Sequence, residues 1–357
     1  MIENINGGCR ASIPHNYIIH KYSQGDIVDN ISVSDPTDLS TDIPGSFSDI
    51  INIPNTCKAL LAPMQHQFLG IYDYASDSYT NGPAHNAGQS AYSRAINLDN
   101  GYIFLCPYRA IHIGLYEIAS NNFTLGPSVT SVLTENPIYG RFIDCIKMNN
   151  KVYLIPETAK NIAIYDIDSN TISISSSNIV FDSSLLPQKF SSACQVSSNE
   201  ILLVPFAGYS FSIYNTDEDS ISTHISTNLV PYSLGRLVKV NNEIFIIYKN
   251  GGVSVYNINN ETINTYPVEN SYSYDDAFGD IIHIGKKLVL IPKRCLYIGE
   301  FDISTKTYQR GNDTRVVLPN QTYRNYYAAG CVINSAIIMA PSHASNVGIY
   351  QPESSLS

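Results

Sequence analysis

The stretch VYLIPETAKNIAIYDIDSNTISI, residues 152–174, contains three short apolar runs separated by loop and turn residues. The first run ends at Pro156, which has no N–H to donate and therefore ends a strand ladder. The second run, AIYDI, is followed by Asp, Ser and Asn, which favour a tight hairpin turn. The stretch thus predicts three successive antiparallel strands.

The same arrangement recurs along the chain. Seven apolar runs each end at a closing residue, and the mean spacing of these residues is about 46, a length typical of propeller blades. An aromatic residue in a second short strand follows each run. The closing residues are Pro63, Pro107, Pro156, Pro205, Tyr248, Pro292 and Pro341, and the aromatic residues are Tyr72, Tyr116, Tyr165, Tyr214, Tyr256, Phe301 and Tyr350. Because each closing residue is followed by one of these aromatic residues, the two series predict one repeating unit.

An alternating strand precedes each apolar run, so one unit contains four strands, A to D. Seven such antiparallel units predict an all-β fold, a seven-bladed β-propeller. Residues 47–357 would form the blades as one domain. Residues 1–46 would supply the closing strand of the last blade, because too few residues follow Tyr350 to complete that blade. DIVDNISV (26–33) is the candidate for this strand, and NYIIHKY (16–22) is the alternative.

The motifs at 152–174 and VYNINNETI (255–263) resemble the kelch family of propellers, and the resemblance covers nearly the whole chain from residue 47. The chain departs from that family in having an apolar–Pro pair in place of Gly-Gly after strand B, and in having no Trp. The Ile-Pro variant is similar to kelch-like propellers in bacterial and phage-encoded proteins, including virion tail components. This resemblance implies a binding or structural role.

Composition and charge narrow the classes of partner. The net charge of −10, from 31 acids and 21 bases, argues against nucleic acid and anionic membranes, because phosphate binding needs a clustered basic surface. The longest apolar stretches are far too short for a membrane span. The N-terminus lacks the pattern of a secretion signal, so we expect a virion or cytoplasmic location.

The seven cysteines show no CxxC spacing and predict core packing rather than a disulfide framework or a metal site. Those in predicted strands are Cys106, Cys145, Cys194 and Cys331, and those near turns or ends, for which reactivity stays open, are Cys9, Cys57 and Cys295. No metalloprotease, nucleophile-elbow, phosphate-loop or sialidase motif occurs, so we expect no cofactor and no metal.

The predicted A strands place charged residues at one equivalent position, where strand A lines the central channel. Alignment puts Asp49, Arg94, Asp144, Ala193, Arg236, Asp280 and Ala329 at this position. The five charged residues form a predicted ring at the channel mouth. Their mixed signs favour pairing that holds the blades together, and a ligand site is the alternative.

The loops between strands B and C open on one face and contain aromatic, basic and amide side chains, which suit recognition of a sugar or a protein. The candidate binding residues are Gln65, His66, Tyr108, Arg109, Lys160, Phe206, Tyr209, Lys249, Arg294 and His343. The same loops contain Glu157, Lys293 and Ser342. The alternative is that these residues are polar only because loops are solvated.

These features predict a non-catalytic binding or assembly module, such as a phage virion or tail-associated protein. Its expected partner is a protein or a cell-surface glycan, and it could assemble as a homo-oligomer. The alternative is a carbohydrate-active hydrolase or lyase that uses the channel-mouth ring, which requires carboxylates facing an open cleft rather than paired with arginine. Convergence of His66, Arg109 and His343 from different blades would be a further route to catalysis.

Overall fold

Seven four-stranded antiparallel sheets make up the described part of the chain. The computed structural model describes residues 18–19, 46–132, 139–177, 188–206, 210–226, 234–248, 251–267, 277–295, 297–313, 326–344 and 347–352. Strand A of each sheet contacts the A strands of both neighbouring sheets, and this cycle closes from the last sheet to the first. The predicted seven-bladed β-propeller is therefore confirmed. The described residues contain no helix that is long and apolar enough to cross a membrane.

The strands follow the predicted order A to D within each blade. Strand β1 (Ile18–Ile19) precedes the blades. Blade 1 contains β2 (Phe47–Asn52), β3 (Lys58–Pro63), β4 (Phe68–Asp73) and β5 (Ser78–Ala84). Blade 2 contains β6 (Tyr92–Asn97), β7 (Tyr102–Pro107), β8 (His112–Glu117) and β9 (Asn122–Ser128). Blade 3 contains β10 (Phe142–Met148), β11 (Lys151–Pro156), β12 (Ala163–Asp166) and β13 (Thr171–Ile174). Blade 4 contains β14 (Phe190–Gln195), β15 (Glu200–Pro205), β16 (Ser210–Asn215) and β17 (Ser220–Ser226). Blade 5 contains β18 (Leu234–Val240), β19 (Glu243–Tyr248), β20 (Val253–Asn257) and β21 (Thr262–Tyr266). Blade 6 contains β22 (Phe278–Ile284), β23 (Lys287–Pro292), β24 (Tyr297–Asp302) and β25 (Thr307–Asp313). Blade 7 contains β26 (Tyr327–Ile333), β27 (Ala336–Pro341) and β28 (Gly348–Tyr350).

The fourth strand of blade 7 comes from the N-terminal segment. Ile18 in β1 pairs with Tyr350 in β28, and Ile19 pairs with Ile349. The strand lies in the alternative stretch, residues 16–22. The preferred stretch, residues 26–33, lies outside the described residues. This pairing joins the two ends of the chain in one blade, as expected for a closed ring.

The core consists of apolar clusters, one between each pair of neighbouring blades. Strand B is buried on both faces. Leu60 packs between blades 1 and 2, whereas the adjacent Leu61 packs between blades 1 and 7. This burial on two faces explains why the B strands are continuous apolar runs rather than alternating ones.

Every strand A contains a register shift near its start. In blade 1, Phe47 pairs with Pro63 and Asp49 with Ala62, so Ser48 is an additional residue in the inner strand. The shift occurs in all seven blades. A bulge of this kind bends the strand and redirects the side chain that follows. The seven bulges therefore place equivalent residues at one level around the channel.

A tyrosine–turn contact closes the C–D hairpin in blades 1 to 4. The last turn residue has a positive φ, which Asn and Asp tolerate better than most residues, and its side chain accepts a hydrogen bond from the strand C tyrosine. The pairs are Tyr72–Asp77 (2.8 Å), Tyr116–Asn121 (3.0 Å), Tyr165–Asn170 (3.1 Å) and Tyr214–Asp219 (2.7 Å). In blade 6 the aromatic residue is Phe301, and Lys306 at the turn instead donates to Glu243 of blade 5 at 2.5 Å.

We expect Tyr214→Phe to lower the free energy of unfolding by about 1–2 kcal/mol, because it removes a hydrogen bond to a carboxylate while keeping the ring in the core. Urea unfolding of both proteins measures this difference. Tyr74→Phe is the control, since Tyr74 is a buried tyrosine that directly follows strand β4 and lies outside the recurring pair. An equal loss in both variants would contradict a specific role for the tyrosine–turn contact.

The cysteines mostly match the expected core role. Five of them are free and buried: Cys106, Cys145, Cys194, Cys295 and Cys331. Cys57, however, is disulfide-bonded. The spacing of the cysteines did not predict this bond.

Candidate functional site

The five charged side chains of the channel ring meet one another. Arg94 donates through Nε to Asp144 at 2.9 Å, and its Nη1 lies 3.5 Å from Asp49. Arg236 donates through Nη1 to Asp49 at 2.9 Å and lies 3.9 Å from Asp280. The mixed charges thus form a single paired network in the structure.

Arg236 joins two non-adjacent blades. It comes from blade 5, whereas Asp49 and Ser48 come from blade 1, and its Nη2 also donates to the Ser48 carbonyl at 3.0 Å. The contact therefore crosses the channel. The three ring carboxylates are almost completely buried, so they do not face the open cleft that an enzyme built on this ring would need.

The aspartates also fasten each blade to the next. Asp49 accepts a hydrogen bond from the Ala95 N–H of blade 2 at 2.8 Å. Asp280 accepts one from the Gly330 N–H of blade 7 at 3.2 Å. These bonds satisfy backbone donors of the neighbouring inner strand, which would otherwise be buried without a partner. The ring geometry therefore serves blade-to-blade packing.

The position in blade 4 differs from the sequence alignment by one residue. Ser192, not Ala193, pairs with the residue before the closing proline, as Asp49 does in blade 1. The Ser192 hydroxyl donates to Asp144 Oδ2 at 3.0 Å and thus belongs to the network. The alignment that put Ala193 in the ring is wrong, because it could not locate the bulge in a serine-rich strand.

Burial raises the pKa of Asp280 from 3.8 to about 7, an effect that Arg94 partly offsets and Asp49 reinforces. Between these two pH values the folded protein holds a proton that the unfolded chain has released. The contribution of Asp280 to stability is therefore present below pH 3.8 and is lost as pH rises through about 7.

We expect Asp280→Asn to remove this pH dependence. The unfolding free energy of the wild type should fall, relative to that of the variant, between the acidic and the neutral end of this window. Urea midpoints for both proteins near pH 5 and near pH 8 measure the difference. Parallel pH profiles would contradict the assignment.

A belt of backbone hydrogen bonds fixes the rim of the channel at the end where the B–C loops lie. The Tyr108 N–H donates to the Ala91 carbonyl at 2.8 Å, and the Arg141 N–H of the next blade donates to the Tyr108 carbonyl at 2.7 Å. The belt passes from blade 7 to blade 1 through Ser46 N–H and the Ser342 carbonyl, 2.8 Å apart. We call the residues that follow strand B and those that precede strand A on this belt the B–C rim.

Glu157 and Tyr108 form a polar cluster on the B–C rim. Glu157 directly follows strand β11 and is 3% exposed. Gln188 Nε2 donates to Glu157 Oε1 at 2.9 Å. Burial raises the pKa of Glu157, while the Gln188 amide and the Tyr108 hydroxyl beside it partly offset the rise. Burial and the nearby Glu157 charge also raise the pKa of Tyr108. Two interacting groups with perturbed pKa values are typical of acid–base sites.

Two arginines lie next to this cluster. The positive charge of exposed Arg109 lowers the pKa values of both Glu157 and Tyr108, although burial outweighs it. Arg141 Nη1 lies 3.4 Å from the Arg109 carbonyl. Within the described part of the chain, the buried Nε of Arg141 has no hydrogen-bond partner. The cluster therefore combines an acid–base pair with cationic groups.

Basic residues predominate on this face. We define the B–C face as the described B–C loops and the described segments that lead into A strands. Its basic residues are Arg109, Arg141, Lys160, Lys189, Lys293 and Arg294, and its one described acidic residue is Glu157. On a chain with a net charge of −10, this excess attracts anions to one end of the ring.

The other predicted binding residues are spread around the same face. Gln65 donates to Ser90 Oγ at 3.1 Å. His66 is completely buried against Phe47, with Nδ1 2.9 Å from the Phe68 carbonyl, so it packs in the core rather than facing a ligand. Lys160 and Arg294 are exposed, and Phe206 and His343 are half-buried. Tyr209 and Lys249 lie outside the described residues. Their binding roles stay predictions.

The repeat pattern does not reveal the partners that make Glu157 unusual. Gln188 and Arg141 belong to segments that lead into A strands, where the repeat has no recurring motif. The clue that could have drawn attention to Glu157 is its position directly after the closing proline, equivalent to that of Tyr108.

No protein-family model matches the chain, and the search of curated proteins finds no matching sequence. Two solved structures of virginiamycin B lyase from Staphylococcus aureus are similar to it. The selenomethionine-substituted enzyme matches with a TM-score of 0.68 and 10% identity, over 93% of this chain and 98% of the other. A catalytically inactive histidine-to-alanine variant with quinupristin matches with a TM-score of 0.67 and 12% identity over the same shares. At this identity the likeness shows the fold.

The comparisons overturn the interpretation of the chain as a non-catalytic phage or virion module. The two solved propellers described above, which it matches over nearly their whole length, are structures of an enzyme. These comparisons contradict the expectation that the chain is not an enzyme, and the carbohydrate-binding role has no support from them. The kelch-like repeat type stays a prediction.

Proposed function

We propose that this propeller is a lyase whose active site lies on the B–C rim, at Tyr108 and Glu157. The observation that carries the proposal is the buried Glu157 carboxyl, with its raised pKa, beside the Tyr108 hydroxyl and next to two arginines. General acid–base catalysis needs groups whose pKa values burial and neighbours have shifted in this way. The lyase activity of the structural neighbours supports the same reaction class.

Elimination fits this face better than glycoside hydrolysis. Hydrolysis of a glycosidic bond ordinarily uses two carboxyl groups on either side of the bond. Among the described residues of the B–C face, Glu157 is the only acid. Elimination needs one base for the proton next to a carbonyl or carboxylate, and cationic groups that stabilise the negative charge that develops.

We assign the proposed roles of these residues from their exposure. Tyr108 is half-buried and can contact a substrate, whereas Glu157 is 3% exposed and acts through Tyr108. Glu157 Oε2 is buried and makes no hydrogen bond to a described residue, so it can accept the Tyr108 proton. The Tyr108 oxygen takes the substrate proton as its own proton passes to this oxygen. The C–H electrons form the new double bond, the bond to the leaving group breaks, and the stored proton then goes to that group. Glu157 is therefore a positioning residue, and Arg109 and Arg141 stabilise the anionic intermediate.

The charge of the face indicates the substrate class. Six bases and one acid favour a substrate that carries a carboxylate. A carboxylate paired with arginine also acidifies the neighbouring C–H bond, which is the bond that elimination breaks. An oligosaccharide that contains uronic acid meets both requirements.

A turnover assay tests the proposal. The purified protein is incubated with a uronate oligosaccharide, with the same oligosaccharide as its methyl ester, and with quinupristin. We expect the free acid to give the ultraviolet absorbance of a new conjugated double bond, faster than the ester does. Faster reaction of the ester or of quinupristin would overturn the anionic substrate class, and no double bond from any of the three would overturn the proposed lyase.

A further inference from the structure

The opposite end of the channel has a second ring of polar residues, three positions after the charged ring on each strand A. Asn52, Lys147 and Lys239 pair with Ala59, Val152 and Ile244, which are equivalent positions in the B strands of their blades. We call this set the A–B ring, because it lies near the A–B turns. Its members are Asn52, Asn97, Lys147, Gln195, Lys239, His283 and Val332.

The composition of the A–B ring differs from that of the charged ring. Two lysines, a histidine and three amides can donate hydrogen bonds, and no position in the seven blades is a carboxylate. One exposed carboxylate lies beside this ring, since Asp99 accepts hydrogen bonds from Lys147 at 2.6 Å and from Asn97 at 2.8 Å. Gln195, Lys239 and His283 have backbone carbonyls as partners and no described carboxylate, so their side of the ring favours anions. Lys239 supports this interpretation, because its Nζ donates to the Gln195 and Val196 carbonyls, both at 3.2 Å, rather than to a carboxylate.

A cavity of about 570 Å³ opens at this ring, within the size range of small-molecule sites. Arg94, Lys147 and Lys239 line the cavity, and no carboxylate does. Arg94 is paired with Asp144 and Asp49, and Lys147 with Asp99, so Lys239 provides the positive charge that no described carboxylate offsets. Ile96 and Ile146 provide an apolar wall. The cavity therefore combines cationic groups with a nonpolar surface.

Arg94 links this cavity to the charged ring. Its Nε donates a hydrogen bond to Asp144, and its Nη1 donates one to Asp49. Nη2 makes no hydrogen bond to a described residue, and the side chain is 23% exposed. An arginine held by two aspartates is fixed in place, so it can receive a ligand without losing side-chain freedom.

The outer turns at this end have the opposite charge. In the described A–B and C–D turns the acidic residues are Asp77, Asp99, Asp168, Asp217, Glu218, Asp219 and Glu261, and the basic residues are Lys286 and Lys306. Attraction of an anion is therefore confined to the channel lining.

We infer that this cavity binds a small organic anion, whose carboxylate or phosphate contacts Arg94, Lys147 and Lys239 and whose nonpolar part packs on Ile96 and Ile146. The site is separated from the B–C rim by the paired charged ring. The inference does not depend on the proposed lyase activity.

Calorimetric titration tests the inference with three probes: benzoate, phenyl phosphate and the neutral benzamide. We expect benzoate or phenyl phosphate to bind at one site, and benzamide to bind at least roughly tenfold more weakly. The tighter of the two anions identifies the charged group. Binding should weaken as ionic strength rises.

Lys239→Gln and Lys147→Gln should each weaken binding of the tighter anion roughly three- to tenfold. Lys58→Gln is the matched control, since Lys58 pairs with Asp73 away from the cavity and should leave binding unchanged. The inference fails if neither anion binds, if benzamide binds equally well, or if all three variants bind like the wild type. Turnover by Lys239→Gln should equal that of the wild type, so this site and the lyase site are tested separately.

Discussion

Replacing Arg236 with alanine is expected to lower the free energy of unfolding by about 3–5 kcal/mol, because it removes the nearer of the two arginines that pair with a buried carboxylate. Arg236 Nη1 lies 2.9 Å from Asp49, which is 4% exposed, and Nη2 donates to the Ser48 carbonyl on the far side of the channel. Burial already raises the pKa of Asp49 despite the nearby Arg94. Urea unfolding followed by circular dichroism measures the loss.

Two further variants decide whether the effect comes from the ion network. Lys58→Ala removes an exposed lysine 3.5 Å from Asp73, and it should change the free energy of unfolding by less than about 1 kcal/mol. Asp49→Asn combined with Arg236→Met should recover part of the stability, because no uncompensated charge then remains at Asp49. If Arg236→Ala costs no more than Lys58→Ala, the network does not hold the ring together.

The second large effect concerns activity. Glu157→Gln is expected to lower kcat about 10²–10⁴-fold on the substrate found in the turnover assay, because the amide cannot accept the proton from Tyr108. The fold should remain, since the new amide oxygen can still accept from Gln188. The wild-type rate should increase with pH as Glu157 loses its proton. This acid limb of the pH–rate profile should lie above the usual pH range for glutamate, because burial raises the pKa of Glu157. This acid limb should be absent in the variant.

Glu117→Gln is the matched control for Glu157→Gln. Glu117 accepts a hydrogen bond from the Tyr102 hydroxyl at 3.2 Å, so it is also part of a tyrosine–glutamate pair, but it lies at the end of β8 away from the B–C rim. Its substitution should leave both kcat and the pH profile unchanged. Equal losses in the two variants, or an unchanged acid limb in Glu157→Gln, would remove Glu157 from the proposed proton path.

The fold could be predicted from the sequence because each blade repeats the same local signals. An apolar strand that ends at proline, an aromatic strand and a turn with Asn or Asp recur seven times, and each element forms largely from neighbouring residues. The closing strand could not be located reliably. Its described pairing involves Ile18 and Ile19 alone, and two N-terminal stretches have equally strand-like sequences.

The candidate site could be predicted only in part. The B–C loops follow from the repeat, which predicts Tyr108 and Arg109 as loop residues. The environment of Glu157 depends on Gln188, which is 31 residues away along the chain, and on Tyr108 of the preceding blade. Contacts between blades leave no periodic signal, and the raised pKa of a carboxyl group follows from burial that the local sequence does not encode.

The masses of the products formed from a uronate oligosaccharide test the central claim most directly. Elimination divides the substrate without adding water, so the masses of the two fragments should sum to that of the substrate, and one fragment should contain the new double bond. We predict this result for the wild type and for Glu117→Gln, with almost no product from Glu157→Gln. Fragments that sum to the substrate plus one water, or equal product from Glu157→Gln, would contradict a lyase centred on Tyr108 and Glu157.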